Sequence, residues 1–301
     1  MKVAFIATGD IAIPTFCHLI ENGPKPCLLI TQPDKPVGRS QSKTVPPEIK
    51  NIALRHGIPV WQPEKIKEIR EKLTKLAPDF SIVMAYGQIL GKAVRNASTK
   101  AMINLHASIL PKYRGASCIQ SAIDNGDTET GITIMHVIRE LDAGNIVAVK
   151  RIPIGPDETA GELHDRLAEI GPDALDEALK TLMENPDAGT PQNPEEVTYS
   201  PKLLREDGRL DLLASAEKLQ RRIRAYHPWP GTFTEVDIKG KTKRLKIFPP
   251  TSVVDQALPA GELKVVEGQL LLGCGDKSLY LTQVQPEGGK QMSAAAFSNS
   301  L

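Results

Sequence analysis

Four cysteines are all that this 301-residue chain contains, and Cys17, Cys27, Cys118 and Cys274 stand far apart with no CxxC pair among them. That spacing excludes a disulfide scaffold and a zinc site built on cysteine pairs, and it fits reduced thiols in a cytosolic protein. No metal is expected. Long apolar runs are missing as well: none approaches ~18 residues, the length that crosses a bilayer. The apolar start ends at Asp10, too soon for the core of a secretion signal. The expectation is therefore a soluble, cytoplasmic protein with no membrane partner. Charge of one sign is also scarce, since 37 Lys+Arg against 36 Asp+Glu leave a formal net charge of +1. This argues against a nucleic-acid protein that relies on overall charge, so any basic surface must be local. The glycines of a GxGxxG fingerprint are absent too. The turn after the first apolar run reads Ala7-Thr8-Gly9-Asp10, which argues against dinucleotide binding and a dehydrogenase. Internal repeats and low-complexity tracts are not seen.

What is present suits a folded chain of two domains: 41% hydrophobic and 24% charged residues over this length are enough for a full core and more. Short β-rich runs at 2–8, 26–31, 59–62, 79–85, 101–108 and 131–138 alternate with helical spacing at 11–22, 46–57, 63–76 and 116–125. This βαβ rhythm predicts an α/β domain with a mostly parallel sheet covered on both faces and a site beyond the carboxyl ends of its strands. A long helical stretch at 159–184 is expected to be interrupted at Gly171-Pro172. Turn-forming residues cluster at 184–194, marking a connection. The expected division is 1–187 for the first domain, 188–204 for the linker and 205–301 for a small β-rich domain, an open barrel. In the latter a helix at 215–226 is capped by Ser215, and strands follow at 233–238, 244–248, 261–266 and 279–284.

The segment Asn104-Leu105-His106-Ala107-Ser108 carries the chemistry. On a strand Asn104 and His106 project to one side while Leu105 packs behind them, pairing an amide donor with a titratable imidazole. Two polar side chains on one face are either a hydrogen-bonded network or a site. Asp142, in Leu141-Asp142-Ala143-Gly144-Asn145, is on its own an ordinary turn residue, but its turn can bring a carboxylate to the same strand end. Together the three suit acyl-type transfer.

Basic residues gather in two places. The loop from Gln32 to Thr44 is either a solvated surface loop or a contact with an anionic macromolecule through Lys35, Arg39 and Lys43. In the second domain Lys218, Arg221, Arg222 and Arg224 line the helix, and Lys239, Lys241, Lys243, Arg244 and Lys246 crowd a hairpin. Such runs are commonly solvated faces, yet two in one small domain favour a nucleic-acid surface.

Several of these segments resemble landmarks of the methionyl-tRNA formyltransferase family. They are Ser108-Ile109-Leu110-Pro111-Lys112-Tyr113-Arg114-Gly115-Ala116, the stretch from Gly126 to Met135, Gln32-Pro33-Asp34-Lys35-Pro36 with Gly38-Arg39, Ala85-Tyr86-Gly87, Arg224-Ala225 with Pro228-Trp229-Pro230-Gly231, and Met292-Ser293-Ala294-Ala295. The chain departs from the family pattern at Ser117-Cys118, at Ala143-Gly144-Asn145 and at Thr8-Gly9-Asp10-Ile11.

The resemblance implies a Rossmann-like formyltransferase domain followed by an OB-like barrel. It implies formyl transfer from 10-formyltetrahydrofolate to the methionine amine on initiator tRNA. Asn104, His106 and Asp142 would then be the catalytic trio. Ser108, Ile109, Leu110 and Pro111, with Tyr86 and Gly87, would contact the folate. Lys35, Arg39 and Lys43, with Arg221, Arg224, Lys241, Lys243 and Arg244, would contact the tRNA. The implied protein is a cytoplasmic monomer without metal. The alternatives are a folate-dependent enzyme acting on a small amine, such as an amino sugar nucleotide, and a noncatalytic RNA-binding relative.

Overall fold

The computed structural model describes residues 1–37, 43–299 and 301. They form two compact units: 1–115 with 130–152 and 164–199, and 116–129 with 153–163 and 200–301.

In the first unit seven strands form one sheet in the order Ile146–Pro153, Glu129–His136, Ala101–His106, Phe80–Met84, Val3–Ala7, Leu28–Ile30, Val60–Trp61. The five strands from Ala101–His106 to Val60–Trp61 pair in parallel, and Glu129–His136 lies antiparallel to Ala101–His106. Val3–Ala7 and Phe80–Met84 are buried at every residue. That is what a parallel sheet covered on both faces requires, and it explains continuous apolar runs in place of alternation. Phe5 meets Phe16 of the Ile13–Glu21 helix at 5.1 Å between ring centroids, tilted by 46°.

The expected break at Gly171-Pro172 does not occur. The helix runs from Ala160 to Glu184 with Pro172 inside it. Gly171 has a packing reason instead: a Cβ there would stand 2.5 Å from Thr15 Oγ1, so glycine lets this helix approach the Ile13–Glu21 helix.

The second unit holds an antiparallel sheet in the order Thr232–Ile238, Lys241–Val254, Ser278–Pro286, Gln269–Gly273, Leu263–Val266, with Met292–Ser293 added to Ser278–Pro286. Burial alternates at the end of Thr232–Ile238, with Val236 and Ile238 inside and Glu235 and Asp237 outside. The strand expected at 244–248 continues to Val254. Its pairing shifts between Phe248 and Thr251, and the bulge takes up Pro249-Pro250, which have no N–H for a ladder. Ser215 caps the Ala216–Ala225 helix as expected, its hydroxyl accepting from Lys218 N at 3.4 Å.

The division into 1–187, 188–204 and 205–301 follows the order of the chain, whereas compactness does not. The Cys118–Asp124 helix buries Cys118, Ile119, Ala122 and Ile123 and packs on Ala216–Ala225, so 116–129 goes with the C-terminal residues. A fork joins the two helices: Arg222 Nη2 donates to Asp124 Oδ2 at 2.8 Å and Nε to Oδ1 at 3.2 Å. This bond and the adjacent carboxylate hold the guanidinium above its usual pKa. Removing one partner of such a half-buried pair strands the other charge. Asp124→Ala is expected to cost about 2 kcal/mol, read as a lower midpoint in a urea titration with unchanged slope.

Candidate active site

The Ala101–His106 strand delivers Asn104 and His106 at its carboxyl end, and the pairing register sets Thr133 beside His106. His106 is 7% exposed. Its Nε2 lies 2.9 Å from the carbonyl oxygen of Tyr113. A carbonyl only accepts, so Nε2 carries a proton and Nδ1 is the atom turned to Asp142, whose Oδ2 stands 3.7 Å away. That separation exceeds a hydrogen bond. Asn104 is half-buried, and its carboxamide makes no hydrogen bond among the described residues, so its donors remain available.

The loop that follows the strand is shaped by its own polar groups. Ser108 is fully buried, and its hydroxyl donates to Lys112 O at 2.7 Å. The Thr133 hydroxyl donates to Ser108 O at 2.6 Å and accepts from Leu110 N at 3.1 Å. Tyr113 takes a positive φ of 62°, which turns its carbonyl to His106. Two residues later Gly115 N donates to Asp142 Oδ2 at 2.8 Å. Asp142 itself sits at φ 49°, a left-handed conformation that Asp tolerates better than most residues. Both loops thus hold a residue at positive φ, and the Tyr113 carbonyl and the Asp142 carboxylate both face His106.

Tyr86 and Gly87 follow the Phe80–Met84 strand, where the first-strand turn also arrives: Gly9 N donates to Ala85 O at 3.1 Å. The strand order reverses here, the location at which open α/β sheets take ligands. The Tyr86 ring packs inward with Ala4, Ile6 and Leu28, and burial pushes its phenol up to about 12. Any cofactor contact from Tyr86 therefore falls to its main chain. Gly87 has φ 81°, and a Cβ there would stand 2.8 Å from Gln32 Nε2, so the turn needs glycine. Ile109 is half-buried, while Leu110 and Pro111 are buried.

Of the basic residues, Lys35 is exposed beside a concavity lined by Gln32, Asp34, Glu64 and Gln88. Below it Lys50 Nζ holds both carboxylate oxygens of Asp34 at 2.8 Å, which keeps that carboxyl below its usual range. Lys43 lies in the Lys43–Val45 strand, paired with Lys35–Val37. Arg39 lies outside the described residues.

In the second unit the Lys239-Gly240 turn, at φ 54° and 72°, joins the strands of a hairpin on which Lys241 and Lys243 are exposed. Arg244 lies over the Phe233 ring at 3.3 Å. Arg224, placed against the tRNA by the resemblance, is 9% exposed, and its Nη1 donates to Glu158 O at 2.8 Å. Arg221 leans on Asp124 O at 3.4 Å. The helix turns these arginines onto neighbouring backbone, and a charge count along the sequence does not reveal which face is covered.

Residues 1–179 match the formyl transferase family model, and residues 202–301 match the model of the formyl transferase C-terminal domain. A methionyl-tRNA formyltransferase of Akkermansia muciniphila is 47% identical over 297 residues, 97% of this chain and 94% of that protein. The chain belongs to the methionyl-tRNA formyltransferase family. A further family member, from Geobacter metallireducens, is 40% identical over 299 residues, 99% of this chain and 94% of its own. The fold is shared more widely than the family. An N-formyltransferase from Helicobacter canadensis, solved with folinic acid and dTDP-3-aminofucose, superposes with a TM-score of 0.69 at 18% identity, covering 93% of this chain and 98% of that one. HypX from Aquifex aeolicus, solved with tetrahydrofolic acid, has a TM-score of 0.65 at 17% identity and covers 99% of this chain, which spans only 46% of HypX.

Around His106 and Asp142 the sequence did not disclose the parts played by Thr133, the Gly115 amide, or Gly144. A Cβ on Gly144 would fall inside the His136 carbonyl, so the Asp142 turn fits against the Glu129–His136 strand only with glycine there. Gly144→Ala is expected to displace Asp142 and lower turnover by about 100-fold while the far-ultraviolet dichroism stays native. Steady-state kinetics beside a melting curve check this.

Proposed function

We propose that the chain transfers a formyl group from 10-formyltetrahydrofolate to the α-amino group of methionine on initiator tRNA. The observation that carries the reading is the convergence of an undemanded Asn104 carboxamide, His106 and Asp142 at one strand end, in a chain 47% identical to a methionyl-tRNA formyltransferase. When bound, the folate supplies the formyl group on its N10. The new bond joins the methionine nitrogen to the formyl carbon, the bond to N10 breaks, and the proton lost by the amine balances the one gained at N10.

The chain's own groups match those needs. The Asn104 amide donates to the formyl oxygen as negative charge develops there, the role of an oxyanion-hole donor. The amine attacks in its unprotonated form, and the His106–Asp142 pair takes the proton it sheds. Tyr113 O keeps the imidazole in one orientation, with Nδ1 toward Asp142. The turn at Gly87, with the main chain of Tyr86 and of 108–111, forms the wall against which a folate ring would rest. Ser108 shapes this wall through Lys112 O. No metal is required by these steps.

We assign the phosphate contacts to exposed Lys241 and Lys243, and contacts with the acceptor end to Lys35 and Arg39. Arg224 is a structural residue in this scheme. No helix among the described residues is long and apolar enough to cross a membrane, and we place the enzyme in the cytoplasm as a monomer.

Labelled formyl transfer from 10-formyltetrahydrofolate, offered initiator methionyl-tRNA, an amino sugar nucleotide and free methionine in parallel, tests the reading. Label on the charged tRNA alone is the expected result. Label on the sugar nucleotide alone, the class of molecule bound in the Helicobacter canadensis neighbour, overturns it. Replacing Lys241 and Lys243 together by Ala is expected to raise the Kd for tRNA at low salt. It should also flatten the dependence of log Kd on log salt by about 2, since each phosphate contact releases counterions. Titrations at several salt concentrations read both.

A further inference from the structure

We propose that Gln192 is a positioning residue for formyl transfer, a clamp that ties the Arg114 guanidinium to the backbone of the Asp142 turn. This inference rests on the formyl-transfer reading of the site and names a residue outside the Asn104, His106 and Asp142 trio.

The geometry leaves one orientation for the Gln192 carboxamide. Its Oε1 accepts from Arg114 Nη2 at 2.7 Å and Nε at 3.1 Å, while its Nε2 donates to Asp142 O at 2.8 Å and Gly144 O at 2.9 Å. A guanidinium only donates and a carbonyl only accepts, so chemistry fixes which end of the amide faces which partner. Glutamate at this position could hold Arg114 but has nothing to offer the carbonyls. Lysine could reach the carbonyls but would repel Arg114. Methionine has similar length and does neither. The bridge is therefore specific to an amide.

Its location connects it to the chemistry. Arg114 lies between Tyr113, whose carbonyl holds His106 Nε2, and Gly115, whose amide holds Asp142 Oδ2. Asp142 is in the strained left-handed region, where no regular ladder keeps it in place. Gln192 thus grips both sides of the His106–Asp142 gap: the loop that orients the imidazole and the turn that carries the carboxylate.

The segment bearing Gln192 is itself pinned to that loop. Thr190 and Ile146 exchange both backbone hydrogen bonds at 2.8 Å. Thr198 accepts from Tyr113 N through its hydroxyl at 2.8 Å and from Arg114 N through its carbonyl at 2.9 Å, and its own N donates to Pro111 O at 3.3 Å. Residues 190–198 form a strap along the catalytic loop, and among largely exposed neighbours Gln192 is half-buried. A solvent-exposed connection has no need of a four-bond amide bridge into the active site.

The test compares wild type with Gln192→Met and Gln192→Glu in the labelled formyl-transfer assay, together with melting temperature and the pH profile of kcat. Both variants are expected to lose about 10- to 100-fold in kcat, with KM for tRNA and for folate within about threefold of wild type. The pH profile should shift, because the spacing of His106 and Asp142 changes. Gln192→Glu should fail to rescue, since the grip on Asp142 O and Gly144 O is the lost half. Unchanged kcat in Gln192→Met, or a loss matched entirely by the unfolded fraction at assay temperature with an unshifted pH profile, overturns the clamp while leaving the function intact. A wild-type enzyme that formylates no charged tRNA overturns the functional reading itself, and the role assigned to Gln192 with it.

Discussion

A carboxylate must be held beside an imidazole by a turn that has no sheet or helix to support it, and the rest of the site is arranged around that constraint. The Asp142 turn follows a strand, takes a left-handed φ, and comes within 3.7 Å of His106 only because separate groups grip it. Gly115 N holds the carboxylate, and the Gln192 amide holds the backbone. Gly144 lets the turn lie against the His136 carbonyl. Each contact is a hydrogen bond or a steric allowance of ordinary strength. Their value lies in acting on one short segment, where a fully satisfied polar network rigidifies what an isolated bond would leave mobile.

The scaffold supplies the other half of the geometry. Phe80–Met84, buried at every residue, cannot shift register without exposing or clashing apolar side chains, so the end of its parallel neighbour Ala101–His106 is a fixed platform. Thr133, its antiparallel neighbour, then fixes the departing loop through a single hydroxyl that both donates and accepts. Polar groups mounted on a strand end and its adjoining loops combine rigidity with room for variation. This is consistent with a fold shared at 17–18% identity with HypX and a sugar-nucleotide-bound N-formyltransferase.

Much of this was legible from residues alone, for identifiable reasons. The period of two on a strand places Asn104 and His106 on one face, and the βαβ rhythm places that face at a carboxyl end. The Asp142 turn is readable because Asp followed by Ala-Gly is ordinary turn chemistry. The helix over 160–184 was misjudged at Gly171-Pro172 because the glycine there answers to Thr15 on another helix, a tertiary requirement with no local sign. Gln192 and the Gly115 amide were invisible for a similar reason. Their partners lie 50 and 27 residues away, and one of the participating groups is main chain in each case, which no motif encodes. Arg224 shows the limit of charge counting: sign is written in the sequence, but the covering backbone of Glu158 is not.

The central claim is that His106 and Asp142 act on the reacting atoms and not on substrate affinity. Single-turnover formyl transfer at saturating tRNA and folate, measured for His106→Ala and Asp142→Ala beside the Kd for methionyl-tRNA, tests it directly. The account predicts that each rate falls by about 10²- to 10⁴-fold with Kd within about twofold of wild type. A normal single-turnover rate with weakened tRNA binding would contradict it.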